Sequence, residues 1–206
     1  MMPKKKKEGK NMYSEGYVYG VTDVYYALMT TEDTVASAPV YASPAVLGKD
    51  IGLTITPVYK ENKVYASNYA TRMEKRVDHY NVSLNIDHVP FDTIQAVLGR
   101  TTDSKGVQHI VGGNQAPYLA LIFALTLDNN QKELYVLYKG KLSEPTINGA
   151  TDGETTSYQH PTLEGYFIRR MNDDKLAAMV ESGKAGVDAT VVTTWFSDVY
   201  EEPSST

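Results

Sequence analysis

The chain has 206 residues, which fits one domain or one domain with extended arms, and 42% of them are hydrophobic. It contains no cysteine, which excludes disulfides, thiolate metal sites and a cysteine nucleophile. The net charge of −5 hides an asymmetry, because residues 1–10 hold five Lys and one Glu and the rest of the chain holds 15 basic and 24 acidic residues. A body this acidic argues against binding to nucleic acid by counterion release.

The start of the chain is its only strongly basic segment. Residues 1–16 are predicted to form a flexible arm whose lysines are solvated. No apolar segment follows the lysines, so they do not indicate a signal peptide. No apolar run in the sequence reaches the roughly 18 residues that a membrane helix needs, and we therefore expect no membrane contact.

Strand-forming residues follow the arm. Residues 17–30 are rich in tyrosine and β-branched side chains, and Gly20 suggests a bulge within them. In residues 51–57 the apolar Ile51, Leu53 and Ile55 alternate, which predicts a second strand that stops at its proline.

Residues 58–76 have no clear hydrophobic period and mix tyrosines with lysine, asparagine and glutamate. The segment is too long for a tight turn, and loops of this length in compact domains are usually functional or contact a neighbour. We predict a long extended loop or a hairpin that packs on another subunit. Its candidate self-assembly residues are Tyr59, Tyr65, Tyr69 and Arg72.

Residues 80–87 show the clearest alternation in the sequence. The even positions, from Tyr80 to Ile86, are apolar, and the odd positions are polar and uncharged except at Asp87. Because successive side chains of a strand point to opposite faces, this stretch predicts a strand with one dry face and one wet face. The wet face could line a solvent space or a polar contact.

Three later runs resemble this strand in length, at residues 118–127, 133–142 and 155–170. The first of them is apolar on both faces, which predicts a central strand that is covered on both sides. We predict an antiparallel sheet built on these three runs and residues 80–87.

Two short helices are also predicted. The first spans residues 90–99, begins at Pro90 and ends at Gly99. Its apolar face consists of Phe91, Ile94, Val97 and Leu98.

The second helix spans residues 188–199 and is capped by Asp188. Its apolar face consists of Val192, Trp195, Phe196 and Val199. The polar residues 201–206 that follow are predicted to be a loose tail.

No pattern typical of catalysis or metal binding occurs. The four histidines are scattered and lack ligand spacing, and neither a Gly-x-Ser-x-Gly elbow nor a complete phosphate loop is present. The adjacent acids 32–33, 173–174 and 201–202 are interpreted as solvated turns, since neighbouring residues face apart and so cannot form an acid–base pair. We expect no catalytic residue, no cofactor and no metal.

The order of these features resembles the major tail tube proteins of long-tailed (siphovirus-type) bacteriophages over roughly residues 17–200. No single segment is distinctive, and the ordered set carries the resemblance. The segments are residues 20–28 (GVTDVYYAL), 51–57 (IGLTITP), 77–99, 121–125 with 134–138 (LIFAL and LYVLY), and 193–200 (TTWFSDVY). The lysine-rich arm has no counterpart in this pattern.

The resemblance implies an antiparallel β-sandwich or barrel of the tail tube type, with short helices and a long extended loop at residues 58–76. It implies rings of six subunits that join sheets edge to edge and stack into a hollow tail tube. DNA would pass through the lumen into the host without specific binding, and partners would include the tape measure and terminator proteins. The protein would be assembled in the host bacterial cytoplasm and reside in the virion tail.

Two alternatives remain open from the sequence. One is a capsid decoration or tail-terminator protein, which would form a single ring or a trimer. The other is a small β-barrel binding or hydrolytic protein, which would need a concave pocket with convergent polar groups. The acidic body suits the tube interpretation, because an acidic lumen does not hold a polyanion.

Overall fold

A computed structural model describes residues 17–22, 24–66, 69–146 and 160–203, without the side chains of residues 50–51, 64–66 and 69–71. Within these ranges the chain forms twelve strands and two short helices, so the protein is mainly antiparallel β, as predicted. The elements are β1 (Val18–Val21), β2 (Val24–Thr31), β3 (Val40–Tyr41), β4 (Ala45–Gly48), β5 (Asp50–Ala66), β6 (Tyr69–Ile86), α1 (Phe91–Leu98), β7 (Thr101–Thr102), β8 (Gln108–His109), β9 (Leu119–Leu127), β10 (Lys132–Leu142), β11 (Thr162–Ile168), β12 (Ala177–Glu181) and α2 (Ala189–Thr194).

The main sheet runs in the order β3-β2-β9-β10-β11-β6-β5, and every neighbouring pair is antiparallel. The four runs that predicted the sheet lie side by side in it as β9, β10, β11 and β6. β1 pairs with β9, β4 with β2 and β12 with β10, beside the main order. Gly20 lies at a register shift between β1 and β9, which confirms the predicted bulge.

The alternation that predicted β6 is present in the folded chain. Val82, Leu84 and Ile86 are buried, and Asn81 and Asn85 between them are exposed. A period of two therefore separated core from surface correctly along this strand.

β9 is the central strand and is covered on both sides, as its two apolar faces predicted. Leu119, Leu121 and Phe123 face the larger core, which β6, β11 and α1 complete. Ala120 and Ile122 face a smaller core against the C-terminal segment. The strand is buried on both faces because it lies between these two cores.

The first helix closes one end of the larger core. Pro90 precedes it, and Gly99 ends it in the left-handed conformation, with φ 66°, where its amide donates to the Gln95 carbonyl. Val97 and Leu98 are buried, but Phe91 is 59% exposed, so its predicted place on the buried face is wrong. Phe91 is the first residue of the helix, whereas the buried residues lie in its last turn.

The second helix is shorter than predicted, since it ends at Thr194 and not at residue 199. Its cap is as expected, because the Asp188 carboxylate accepts from the Thr190 amide at 2.8 Å. The predicted apolar face still forms, because the chain continues as a turn that keeps Trp195 buried on the smaller core and its indole donating to the Tyr135 carbonyl. Packing of the aromatic side chains holds this segment beyond the end of the helix.

The predicted loop at residues 58–76 is instead the outer half of the β5–β6 hairpin. Backbone pairing between β5 and β6 continues up to Ala66 and Tyr69. The alternative prediction of a hairpin is therefore right, and the favoured prediction of a long extended loop is wrong. Several predictions lie outside the described residues: the arm at 1–16, the start of the run at 155–170 and the end of the tail at 204–206.

Candidate assembly surfaces

The β5–β6 hairpin projects from the sheet. β11 pairs with β6 only between His79 and Asn85, and beyond that point β5 and β6 pair only with each other. We refer to residues 59–77 as the projecting hairpin. Each of its strands rises about 3.3 Å per residue, so the hairpin extends roughly 26 Å from the body. All its described side chains at 59–63 and 72–76 are exposed, on both faces of the ribbon.

The contacts within the projecting hairpin are those of a solvated surface. Lys75 pairs with Glu61 at 2.9 Å and lies 4.4 Å from the centre of the Tyr59 ring, and Arg72 pairs with Glu74 at 2.9 Å. Exposed ion pairs of this kind contribute little to stability, because solvent screens the charges. A two-stranded ribbon without a covering surface is marginally stable in water. The projecting hairpin is therefore a surface suited to packing on another protein.

The four candidate self-assembly residues all belong to this hairpin, but they do not form one cluster. Tyr59 shares a face with Glu61 and Lys63, whereas Arg72 pairs with Val64 and so lies on the opposite face. The side chains of Tyr65 and Tyr69 lie outside the described residues. The backbone places them near the tip, where Tyr65 pairs with Ala70 and Tyr69 with Ala66.

Several borders of the sheet have a strand on one side only. From Leu53 onward β5 has β6 as its neighbour, and the described part of the chain supplies no strand on its other side. At the other end of the sheet order, the two-residue β3 is the last strand beside β2. Open borders present unpaired backbone groups that can pair with another chain. These borders are candidate contacts between copies.

The outer face of β5, β6 and β11 is polar, as residues 80–87 predicted. Thr54 lies opposite Ser83, which lies opposite Glu164, and Thr56 lies opposite Asn81 in the same manner. These residues border a shallow depression with Tyr166 at its edge. We refer to them as the polar face; Glu164 is the one charged side chain among them. A surface with hydroxyl and amide groups and a single carboxylate remains hydrated and does not attract a polyanion.

A second depression is apolar. It has a volume of about 400 Å³ and opens between the two walls of the larger core. Leu53, Ile55 and Tyr80 line one wall, and Leu125, Tyr135 and Met179 line the other. We refer to these six residues as the apolar groove. Met179 is 72% exposed, so its apolar side chain is available for contact at the border of the groove.

A buried ionic cluster fastens the C-terminal segment to the sheet. Arg170 is 1% exposed, donates to the carboxylates of Asp173 and Glu201, and lies 4.1 Å from the centre of the Tyr138 ring. Burial alone would lower the pKa of Arg170, but the hydrogen bonds that it donates to these carboxylates raise its pKa above the ordinary value. Glu202 also pairs with Lys175 at 2.8 Å, so the predicted loose tail does not begin at residue 201.

A second buried pair joins the loop after β2 to β10. Lys139 donates to Asp33, and the Met171 amide donates to the same carboxylate. Burial favours a higher pKa for Asp33, yet these hydrogen bonds lower it below its ordinary value. Asp33 and Asp173 were predicted to be solvated turn residues, and this is wrong because each pairs with a buried cation, Lys139 for Asp33 and Arg170 for Asp173. The Arg170–Asp173 spacing of three residues was the one signal available.

The acids and histidines do not converge on a reactive centre. Within the described ranges, no three His, Asp or Glu side chains gather where they could hold a metal ion. His79 pairs with Asp78 and packs on Tyr166, while His109 pairs with Asp103 on a separate hairpin. No described helix is both long enough and apolar enough to cross a membrane.

Comparison with known protein families gives a match over most of the chain. The model of the family described as phage tail tube protein matches residues 55–194, which include the projecting hairpin, both helices and the central strands. No curated protein matches the chain.

Proposed function

Because the chain belongs to the phage tail tube protein family, we propose that its copies form rings that stack into a hollow tail tube. The family is structural and not enzymatic, which corrects the alternative of a hydrolytic barrel. The protein is a structural component of the phage tail, and its tail location follows from the family.

The observation that carries the stacked tube is the projecting hairpin, which is exposed on both faces in the isolated chain. A ribbon of this length gains stability when another surface covers it. A contact between this hairpin and a different surface of the next copy is head-to-tail, and such contacts generate closed rings or open stacks. Tyr59, Tyr65, Tyr69 and Arg72 are proposed to contribute to it.

Ring closure is supported by the open sheet borders. When the border of β5 in one copy meets a border at the other end of the sheet in the next copy, the exposed backbone groups of both are paired. Repeating this contact joins the sheets into one continuous wall. A six-membered ring is the order that we propose.

The polar face is the surface best suited to line the lumen. It is built from hydroxyl and amide groups with one carboxylate, so it would stay hydrated and would not retain DNA during ejection into the host. The tape measure protein would fill this lumen before ejection, and the terminator would end the stack. Assembly is proposed to occur in the host cytoplasm.

Negative-stain micrographs of the purified protein over a range of concentrations test the proposal. Rings and hollow tubes of constant diameter are the expected result. Single rings or trimers at every concentration would favour the terminator or decoration alternative. A strictly monomeric particle, even when tail partners are added, would refute self-assembly.

A further inference from the structure

The border of the apolar groove carries two acids that lack a cation. Glu133 on β10 and Glu181 on β12 are direct cross-strand partners, and like charges in this arrangement are destabilising. Glu133 accepts from the Tyr135 hydroxyl at 2.9 Å, and among the described residues neither carboxylate forms an ion pair. Glu133 also lies opposite Leu125, so this acidic rim adjoins the apolar groove.

One face of the projecting hairpin has the complementary character. Met73 is 60% exposed and is the direct cross-strand partner of Lys63. Lys75 on the same face forms an ion pair with Glu61, whereas Lys63 forms no direct ion pair with a described side chain and only adds to the lowering of the Glu61 pKa from a distance. An apolar side chain and a cation without a direct ion pair are thus next to each other.

We propose that the apolar groove of one copy receives Met73 from the projecting hairpin of a second copy, with Lys63 placed against Glu133 and Glu181. This inference rests on the proposed self-assembly and names the surface that accepts the hairpin. Insertion would cover the exposed Met179 and supply the cation that the acidic rim lacks.

The occupant comes from a second copy because the hairpin cannot reach its own groove. Ile55 and Tyr80 line the groove, and the same two strands continue through one bulge into the projecting hairpin. Folding back would break the ladder between them. The hairpin is therefore directed away from the groove of its own chain.

Cysteine cross-linking tests this contact directly, because the chain has no cysteine of its own. A Met73→Cys, Met179→Cys double variant is assembled and treated with a mild oxidant, and covalent ladders on non-reducing gels are the expected result. The control is Glu74→Cys with Met179→Cys, which places the thiol on the opposite hairpin face and should give at most a trace of ladder.

The same samples are imaged, which separates the two proposals. Tubes without a ladder would overturn the groove assignment and leave the tail tube function intact. Absence of tubes in the wild type would refute the proposed function itself. A ladder from Met12→Cys with Met179→Cys, in place of the Met73 pair, would assign the groove to the basic arm and overturn the hairpin inference.

A charge exchange gives an independent test that does not depend on thiol geometry. Glu133→Lys with Glu181→Lys keeps a like-charge cross-strand pair but reverses its sign, so the monomer should remain folded while tube formation is lost. Adding Lys63→Glu should restore tubes, and Lys60→Glu on the other hairpin face should not. Tubes from the double rim variant alone, or no rescue by Lys63→Glu, would overturn the contact.

Discussion

Arg170 keeps its charge inside the protein because two carboxylates and an aromatic ring replace the water that it loses. Its neighbour Arg169 offers a matched comparison, since it pairs with the exposed Asp174 at 2.6 Å. The two residues have the same chemistry in very different surroundings. Removing a buried pair costs far more than removing a surface pair.

Arg170→Ala is expected to lower the free energy of unfolding by about 3 kcal/mol, because it leaves Asp173 and Glu201 without their cation and opens a cavity beside Tyr138. Arg169→Ala is the control and should cost less than about 1 kcal/mol. Urea unfolding of the monomer, followed by circular dichroism, measures both. Equal losses from the two variants would contradict the buried cluster.

Asp33 and Asp173 make stability depend on pH. Both have a folded-state pKa below the ordinary value, despite burial that acts in the opposite direction. Their contribution is therefore complete above the unfolded pKa of about 3.9 and is lost as pH falls below it through the folded-state pKa.

The expected result is a fall in the urea midpoint of the wild type as the pH is lowered below about 4. Asp33→Asn should be less stable at pH 7 and should lose less over the same interval, since one of the titrating carboxylates is gone. If the variant and the wild type lose equal stability on acidification, the ion pair with Lys139 does not contribute as described.

At the scale of the element, the hairpin and the body are energetically separate. Among the described residues, 62–66 and 69–71 pair with no strand other than their hairpin partner, and none of them belongs to the larger core, so we expect them to add little to its stability. Deleting them and closing the strands with a two-residue turn should leave the monomer folded and prevent stacking.

Thermal melting and micrographs measure the two outcomes on one sample. The melting temperature should stay within a few degrees of the wild type, in line with an effect below about 1 kcal/mol. Unfolding of the truncated monomer would show that the hairpin belongs to the core, and normal tubes from it would show that stacking uses another surface.

At the scale of the whole molecule, the proposed position of the polar face in the lumen predicts which reagents can reach it in an assembled tube. In a tube, Asn81 would face the lumen, which a small maleimide can enter and a large polymer-linked maleimide cannot. Asn81→Cys should therefore react with both reagents in the monomer and only with the small one in tubes. Reaction with both in tubes would place this face outside, and reaction with neither would place it in a contact between subunits.

The sequence alone identified the central sheet, because side-chain alternation in β6 and two apolar faces in β9 are local consequences of a period of two. It also identified both helices through their caps, but at residues 58–76, which lack a clear period, it favoured an extended loop over the hairpin that forms. It did not identify the environments of Asp33 and Asp173, because the neighbouring residues in the sequence do not distinguish a solvated aspartate from a buried one.

Only the tertiary structure decided which residues that are far apart in the sequence come into contact. The Arg170–Glu201 pair spans 31 positions, and the acidic rim exists because β12 returns to β10 and sets Glu181 opposite Glu133. The apolar groove likewise depends on how far the walls carrying Ile55 and Leu125 separate. Periodicity fixes which face of a strand is apolar, but the arrangement of the strands determines which apolar and charged groups meet.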